Sequence, residues 1–336
     1  MAFLFDKFSV TAKLLRKALD GAAQGLLKRL EDYAVKTTQG NAGQVSRRNV
    51  LSAACAAGAA TLLPGCLAPE AERQAEKPAG RGRLKQSLVQ WCYQKYWDLE
   101  AMCKVAKGLG CQSLELCGPQ DWPTLKKHGL TCAIANSHGF VKGFNTPANH
   151  EMCLAKLRES IDASAAFGCP TVITFTGFRE GVPDDVGMKN SVDGLKKIIG
   201  YAEEKKINLA LEMLNSRVDV EMKGHPGYQG DHMDYCIELV KKVGSPRMKV
   251  LFDVYHVQIM DGDVITRIKQ YAEYIGHVHT AGVPGRNELD DKQEVNYRAV
   301  FQALAEIKYA GYVGHEFIPT RDPMQGLKEA VALCTV

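Results

Sequence analysis

Short apolar runs alternate with longer amphipathic segments along the chain from residue 84 onward. The short runs are apolar or β-branched on both faces and are bounded by glycine, proline or polar residues. That pattern is typical of parallel strands buried on two sides. Eight runs are predicted as strands: Ser87–Tyr93, Ser113–Cys117, Thr131–Asn136, Thr171–Thr176, Asn208–Leu214, Lys249–Tyr255, Gly276–Thr280 and Tyr312–Phe317.

The segments between the strands have apolar residues at three- and four-residue spacing, which predicts helices. The clearest predicted helices are Glu151–Phe167, Val192–Lys205, Asp231–Val243 and Val295–Lys308. Eight strand–helix units in about 250 residues have the size and order of a (β/α)8 TIM barrel. A doubly wound sheet is the alternative, but it usually carries a glycine-rich turn after its first strand, and no glycine stands there in this chain. We therefore predict an α/β chain with a TIM barrel over residues 84–336.

A leader and a linker are predicted before the barrel. Ser46-Arg47-Arg48 precedes a weakly apolar run from Val50 to Leu63, which ends in Leu63-Pro64-Gly65-Cys66. This order predicts a twin-arginine export signal over residues 46–66, against the alternative of a chance arginine pair. The last four residues resemble a lipobox, but Pro64 is unusual there, so lipidation of Cys66 and membrane anchoring through it stay open. Residues 67–83 are predicted to be a disordered linker.

Residues 1–45 form a basic N-terminal extension. Apolar residues recur there at every fourth position between lysines and arginines, which is typical of an amphipathic helix on a membrane surface. A wrongly assigned start of translation is the alternative interpretation. With the export signal, the expected location of the protein is the periplasm or the cell envelope.

Charge and cysteine content limit the function of the barrel. The net charge of the chain is +4, but residues 1–48 alone carry nine Lys/Arg against four acidic residues. Residues 49–83 add four bases and three acids, which leaves a net charge of −2 for residues 84–336. That balance argues against nucleic acid as a partner. None of the eleven cysteines forms a CxxC pair, so buried free thiols are favoured over a disulfide framework.

Four charged residues stand at or near the ends of the last four predicted strands: Glu212, Asp253, His279 and Glu316. In a TIM barrel the carboxyl ends of the strands form the catalytic face. Each residue alone has an ordinary structural explanation, such as an ion pair or a satisfied core histidine. Three carboxylates buried together are costly without a cation. Two Glu, one Asp and one His suit Mn²⁺, Mg²⁺ or Co²⁺, with Zn²⁺ also open.

These residues lie in segments that resemble the hydroxypyruvate isomerase branch of the xylose isomerase-like barrel superfamily. The more specific segments are Asp-Val-Tyr-His-Val-Gln at 253–258 and Val-Pro-Gly-Arg at 283–286. Glu212 with Leu214-Asn215, Gly-His-Val-His at 276–279 and Gly-His-Glu at 314–316 fit in the same order. Hydroxypyruvate isomerases commonly have Gln at the position of His279, where ketose epimerases have His. The resemblance covers residues 84–336 and leaves the substrate open between these branches.

The resemblance implies one divalent metal ion bound by Glu212, Asp253, His279 and Glu316. Glu212 and Glu316 would then be the catalytic pair that moves a carbon-bound proton through a metal-stabilised enediolate. His256 and Arg286 are predicted to bind substrate oxygens. Weaker substrate-pocket candidates near predicted strand ends are Glu115, His138 and Arg217, each of which has a plain rim hydrogen bond as its alternative role.

A metal-dependent isomerase or epimerase of a sugar or hydroxy-keto acid is therefore the predicted function. A dehydratase of a keto-polyol is the first alternative, because it begins with the same proton abstraction. A phosphodiesterase of the AP-endonuclease type ranks lower, since it needs more histidine ligands. A non-catalytic sugar-binding protein is a further alternative. The glycine-rich loop from Gly224 to Gly230, with His225, is either a lid over the site or a plain solvated connection, and homo-oligomerisation stays open.

Overall fold

The structure is a computed structural model that describes residues 84–336. The extension, export signal and linker predicted for residues 1–83 lie outside the described residues. In the described part, seven strands form one parallel sheet. They are β1 (Lys85–Val89), β2 (Ser113–Glu115), β3 (Thr171–Thr174), β4 (Asn208–Glu212), β5 (Met248–Asp253), β6 (Ile275–Thr280) and β7 (Tyr312–His315).

The sheet curls into a barrel with the strand order β2-β1-β7-β6-β5-β4-β3. The third predicted strand, Thr131–Asn136, is not a regular strand in the structure. It nevertheless forms parallel bridges to both edge strands, from Thr131 to Ser113 on β2 and from Ala135 to Val172 on β3. This segment therefore lies between β2 and β3, takes the place of the missing strand of an eight-stranded barrel, and closes the sheet. The predicted TIM barrel is confirmed.

Helices connect successive strands, as parallel pairing requires. They are α1 (Gln90–Tyr93), α2 (Leu99–Gly108), α3 (Trp122–Lys127), α4 (His150–Phe167), α5 (Asp184–Leu195), α6 (Ile199–Glu204), α7 (Met233–Val243), α8 (Val254–Met260), α9 (Val264–Gln270), α10 (Tyr297–Glu306) and α11 (Pro323–Cys334). Three of the four predicted helices match α4, α7 and α10 within two residues at each end. Short 3₁₀ turns cover Pro147–Asn149 and Ala272–Tyr274.

The helix predicted over Val192–Lys205 is wrong, because the structure has two helices there, α5 and α6. Between them the backbone makes three-residue turns, with the N–H of Lys197 donating to the carbonyl of Gly194 at 3.1 Å. Gly194 and Gly200 flank this break, and glycine is a poor helix former. The apolar spacing continues across the break because both helices have buried residues, such as Met188 and Val192 in α5 and Ile199 and Ala202 in α6.

The core lies inside the barrel and between the barrel and its helices. Strand residues are buried on both faces, as in the fully buried β3. All nine cysteines of residues 84–336 are buried free thiols, which confirms the prediction for this part of the chain. Among the described residues, no helix combines the length and apolar character needed to cross a membrane.

Candidate active site

The four predicted metal ligands meet at the carboxyl ends of neighbouring strands. Glu212 and Asp253 are the last residues of β4 and β5, His279 lies near the end of β6, and Glu316 directly follows β7. Backbone pairing sets Asp253 beside His279. All four side chains are buried, and one ligand atom from each lies within 4.8 Å of the others. The structure thus brings together the complete set.

The donor atoms at this point fit a divalent cation. Nδ1 of His279 and Oε1 of Glu212 are buried without a hydrogen-bond partner, 3.7 Å apart. Nδ1 of His279 also lies 2.9 Å from Oε2 of Glu316, but not at an angle that makes a hydrogen bond. Buried polar atoms without partners are rare in native proteins. Three carboxylates and one imidazole that converge in this way are the ligands expected of Mn²⁺, Mg²⁺, Co²⁺ or Zn²⁺.

Arg286 lies at the same point and is almost fully buried. Its Nη2 is 2.5 Å from Oε2 of Glu316 and 3.4 Å from Oδ2 of Asp253. Its guanidinium carbon is 5.2 Å from the ring centre of Trp91 and 5.6 Å from that of Tyr255. The two rings and the carboxylates hold the planar cation facing the pocket, where it can bind an anionic or hydroxyl group of a ligand.

His256 is fixed in one tautomer by its neighbour. The backbone N–H of Asn215 donates to Nδ1 of His256 at 3.0 Å, and the Asn215 side-chain amide lies 2.7 Å from the same nitrogen. Because Nδ1 accepts, the proton of the neutral ring must be on Nε2. Nε2 is buried without a partner, 3.5 Å from Oδ2 of Asp253. His256 thus presents a free N–H donor beside the ligand cluster.

The charges of the cluster shift its ionisation. Burial raises the pKa of Asp253 to about 7, although Arg286 acts against it. Burial also raises the pKa of Glu212. Burial acts to raise the pKa of Glu316 as well, but Arg286 and His279 outweigh this effect and hold that pKa well below its usual value. The positive charge at this point is therefore too small to keep all three carboxylates ionised. A bound cation would supply the missing charge and favour the ionised form of each.

A pocket of about 310 Å³ opens onto the cluster. Glu212, Glu316 and Arg286 are its charged lining residues, and apolar and aromatic residues form most of the remaining wall: Trp91, Leu116, Phe140, Ile173, Phe175, Leu214 and Met222. Nε1 of Trp91 donates to Oε1 of Glu316 at 2.9 Å. The volume suits a small sugar or keto acid.

His225, from the glycine-rich loop, also lines this pocket. Burial lowers its pKa to about 4, so it is neutral near pH 7. Phe140, Phe175 and Met222 are wall residues that sequence reasoning missed. Phe140 and Met222 stand in loops without a periodic pattern, whereas Phe175 lies in the predicted strand Thr171–Thr176 and directly follows β3. Only the fold shows that these three side chains reach the pocket.

Three predicted pocket residues lie elsewhere. Glu115 is completely buried behind His279 and accepts hydrogen bonds from His277 and His279. His138 holds its own loop, with ring nitrogens 3.1 Å from the Lys142 carbonyl and 3.0 Å from the Thr174 hydroxyl. Arg217 is exposed and donates to the carbonyl of Ile259. All three stand near strand ends, but their side chains turn away from the pocket.

Comparison with known proteins places this site in a family. A family model described as "Xylose isomerase-like TIM barrel" matches residues 123–335. The chain belongs to the xylose isomerase-like TIM barrel family. That match confirms the resemblance seen in the sequence and agrees with the closed barrel and its rim.

Relatives of this barrel are named as isomerases. The human "Putative hydroxypyruvate isomerase" is 27% identical over 71% of this chain and 91% of its own length. The "2-oxo-tetronate isomerase" of Pectobacterium atrosepticum is 26% identical over 67% of this chain and 88% of its own. A crystal structure described as AP endonuclease, family 2, from Brucella melitensis is 27% identical, with a TM-score of 0.63, over 73% of this chain and 97% of its own. The chain is an isomerase-type enzyme of the family.

Proposed function

We propose that this barrel is a divalent-metal-dependent isomerase of a small hydroxy-keto acid or sugar, and that it works by abstraction of a carbon-bound proton. The observation that carries the proposal is the convergence of Glu212, Asp253, His279 and Glu316 on one buried point beside the pocket. The relatives named as hydroxypyruvate and 2-oxo-tetronate isomerases support the keto-acid class.

The chain's own residues divide the work. A cation held by the four ligands would polarise a substrate carbonyl and so acidify the neighbouring C–H bond. Glu212 is the better placed base, because its carboxylate lines the pocket and no described side chain donates a hydrogen bond to it, whereas Glu316 is engaged by Trp91 and Arg286. Arg286 binds the substrate carboxylate or a hydroxyl group. The Nε2–H of His256 donates to the oxygen that gains charge on proton loss.

The return of the proton decides the product. Return of the proton by Glu212 to the former carbonyl carbon, while the hydroxyl proton of the neighbouring carbon passes to the former carbonyl oxygen, moves the carbonyl by one position and gives an isomerase. Delivery of a proton taken up from water by Glu316 to the opposite face of the same carbon, while Glu212 keeps the proton it removed, inverts that centre and gives an epimerase. Both carboxylates line the same pocket. The relatives named as isomerases favour the first outcome.

Deuterium exchange tests the proposal. Residues 84–336 are loaded in turn with Mn²⁺, Mg²⁺, Co²⁺ and Zn²⁺ and incubated in D₂O with hydroxypyruvate, a 2-oxo-tetronate, free ketoses and an inosose. We expect metal-dependent deuterium at a carbon next to the carbonyl, reduced at least about 10³-fold in Glu212→Gln. Glu294→Gln is the matched control, since Glu294 lies outside the pocket and accepts from Gln258.

The products separate the remaining functions. If the inosose loses water, the protein is a dehydratase and not an isomerase. Cleavage of DNA at an abasic site, a reaction suggested by the description of the Brucella melitensis structure, would overturn the isomerase. Wild-type protein that holds metal and exchanges no substrate proton would also contradict the proposal.

The location of the enzyme is a further part of the proposal. We infer from Arg47, Arg48 and the apolar run after them that the barrel is exported by the twin-arginine route. A substrate outside the cytoplasm would then reach the pocket without uptake.

A further inference from the structure

A buried carboxylate connects two histidines beneath the candidate metal centre. Oε1 of Glu115, at the end of β2, lies 2.8 Å from Nε2 of His277 and 2.9 Å from Nε2 of His279. All three residues are at most 1% exposed. An ionised carboxylate only accepts hydrogen bonds, so both Nε2 atoms must carry the proton in these contacts.

This hydrogen bond determines which nitrogen of His279 can bind a metal ion. A histidine binds metal only through a ring nitrogen without a proton. With Nε2–H directed at Glu115, Nδ1 is the remaining ligand atom, and it faces Glu212 at 3.7 Å and Glu316 at 2.9 Å. The ring plane is held by the same contact. Carboxylate–histidine–metal arrangements of this kind fix both tautomer and orientation.

We propose that Glu115 is a positioning residue that holds His279 in the orientation and tautomer needed for metal binding. The inference rests on the proposed metal site. It replaces the role in substrate binding predicted for Glu115, whose carboxylate does not reach the pocket.

A glycine inside the barrel leaves the space that the contact between Glu115 and the two histidines needs. Glu115 must reach from β2 past β1 and β7 to the histidines on β6. On β7, Gly314 pairs with His279. A Cβ atom at Gly314 would lie 2.2 Å from Oε1 of Glu115 and 2.9 Å from Cδ2 of His279. Any side chain there would displace the carboxylate, so Gly314 is required for the hydrogen bond to form.

Metal affinity and the Co²⁺ spectrum test the proposal. We expect Glu115→Leu to weaken binding of Mn²⁺ and Co²⁺ by about 10–100-fold, as for other partners of metal-bound histidines, and to shift the visible absorption bands of bound Co²⁺. Glu115→Gln keeps an oxygen that accepts from Nε2–H, so we expect it to retain most of the affinity. Gly314→Ala should resemble Glu115→Leu without changing any ligand.

Ser87→Ala is the matched control. Ser87 pairs with Gly314 on the other side of β7, is completely buried, and its hydroxyl has no hydrogen-bond partner. This variant changes the same layer of the barrel without touching the histidines. We expect wild-type metal affinity and an unchanged Co²⁺ spectrum, whatever its effect on stability.

A measurement on the wild type keeps the proposal testable if variants fail to fold. In Zn²⁺-loaded protein with ¹⁵N-labelled histidine, the signals lost in His279→Gln should show a protonated Nε2 and a metal-bound Nδ1. The opposite tautomer would overturn the proposal. So would Glu115→Leu with wild-type affinity and spectrum, or an equal loss in Glu115→Leu and Glu115→Gln. Wild-type protein that binds no metal would overturn the metal site and this role together.

Discussion

His256 shows how a neighbour gives one side chain its chemistry. Two donors of Asn215 occupy Nδ1, which leaves Nε2–H free beside Asp253. The sequence spacing predicted that His256 binds substrate oxygens at the rim, and the structure places it fully buried beside the ligand cluster, outside the residues that line the pocket. Its tautomer depends on Asn215, which follows a different strand, so no local pattern could have shown it.

Replacement of His256 by Gln tests this donor. We expect kcat/KM to fall by about 10²-fold, because one donor to the developing oxyanion is lost. Metal affinity should change little, since His256 is not one of the four ligands. Both quantities are read from steady-state kinetics and calorimetric metal titration. A variant that loses metal affinity as strongly as activity would assign His256 to the metal instead.

His138 makes stability depend on pH. Burial lowers its folded-state pKa to about 4, below the value of about 6.5 expected in the unfolded chain. Below pH 6.5 the unfolded state therefore binds a proton at this ring that the folded state does not bind. The free energy of unfolding falls as a result when the pH drops towards 4.

His138 contributes at most about 1.4 kcal/mol per pH unit to the change of the free energy of unfolding with pH. The contribution is smaller than this limit because the ring is partly exposed. Urea unfolding between pH 4.5 and 7.5 should give a flatter pH dependence for His138→Gln than for the wild type. Parallel curves for the two proteins would show that His138 does not titrate in this way.

At the scale of elements, parallel strands and their order were predictable because each strand is buried on both faces and followed by a helix. Two details were not. The segment after Thr131 pairs by isolated bridges and not as a regular strand, and the helix after Asp184 breaks before Ile199. Both depend on how the backbone fits against its neighbours, which hydrophobic spacing does not record.

Glycine at the end of α7 provides a test at this scale. Gly244 ends the helix with φ +78°, in the left-handed region. We expect Gly244→Ala to lower the free energy of unfolding by roughly 1–2 kcal/mol, because a Cβ atom is strained there.

Gly200→Ala is the matched control. Gly200 lies exposed near the start of α6, and a Cβ atom added to it would have no neighbour within 4 Å. Alanine should stabilise that helix by about 0.4–1 kcal/mol. Chemical denaturation of both variants measures the difference. Equal destabilisation in the two would contradict the explanation by backbone conformation.

At the scale of the whole molecule, the export signal can be tested on the full chain. In a bacterium with a twin-arginine pathway, we expect replacement of both Arg47 and Arg48 by Lys to retain the protein in the cytoplasm. The matched control changes Arg81 and Arg83 to Lys in the linker and should export normally. Fractionation and immunoblotting give the result, and export of the Arg47/Arg48 variant would contradict the signal. Cys66→Ser then shows whether membrane association depends on that cysteine.

The sequence by itself determined the fold class and the four residues that converge at the candidate metal site. Strand burial, helix spacing and the placement of charged residues at strand ends are local properties, and the barrel turns strand ends into a common rim. The tertiary structure alone decided which side chains face the pocket. Glu115 lies at a strand end like Glu212, yet it points into the barrel interior and meets His277 and His279 across it. That contact depends on the space left by Gly314, about 200 residues away in the chain.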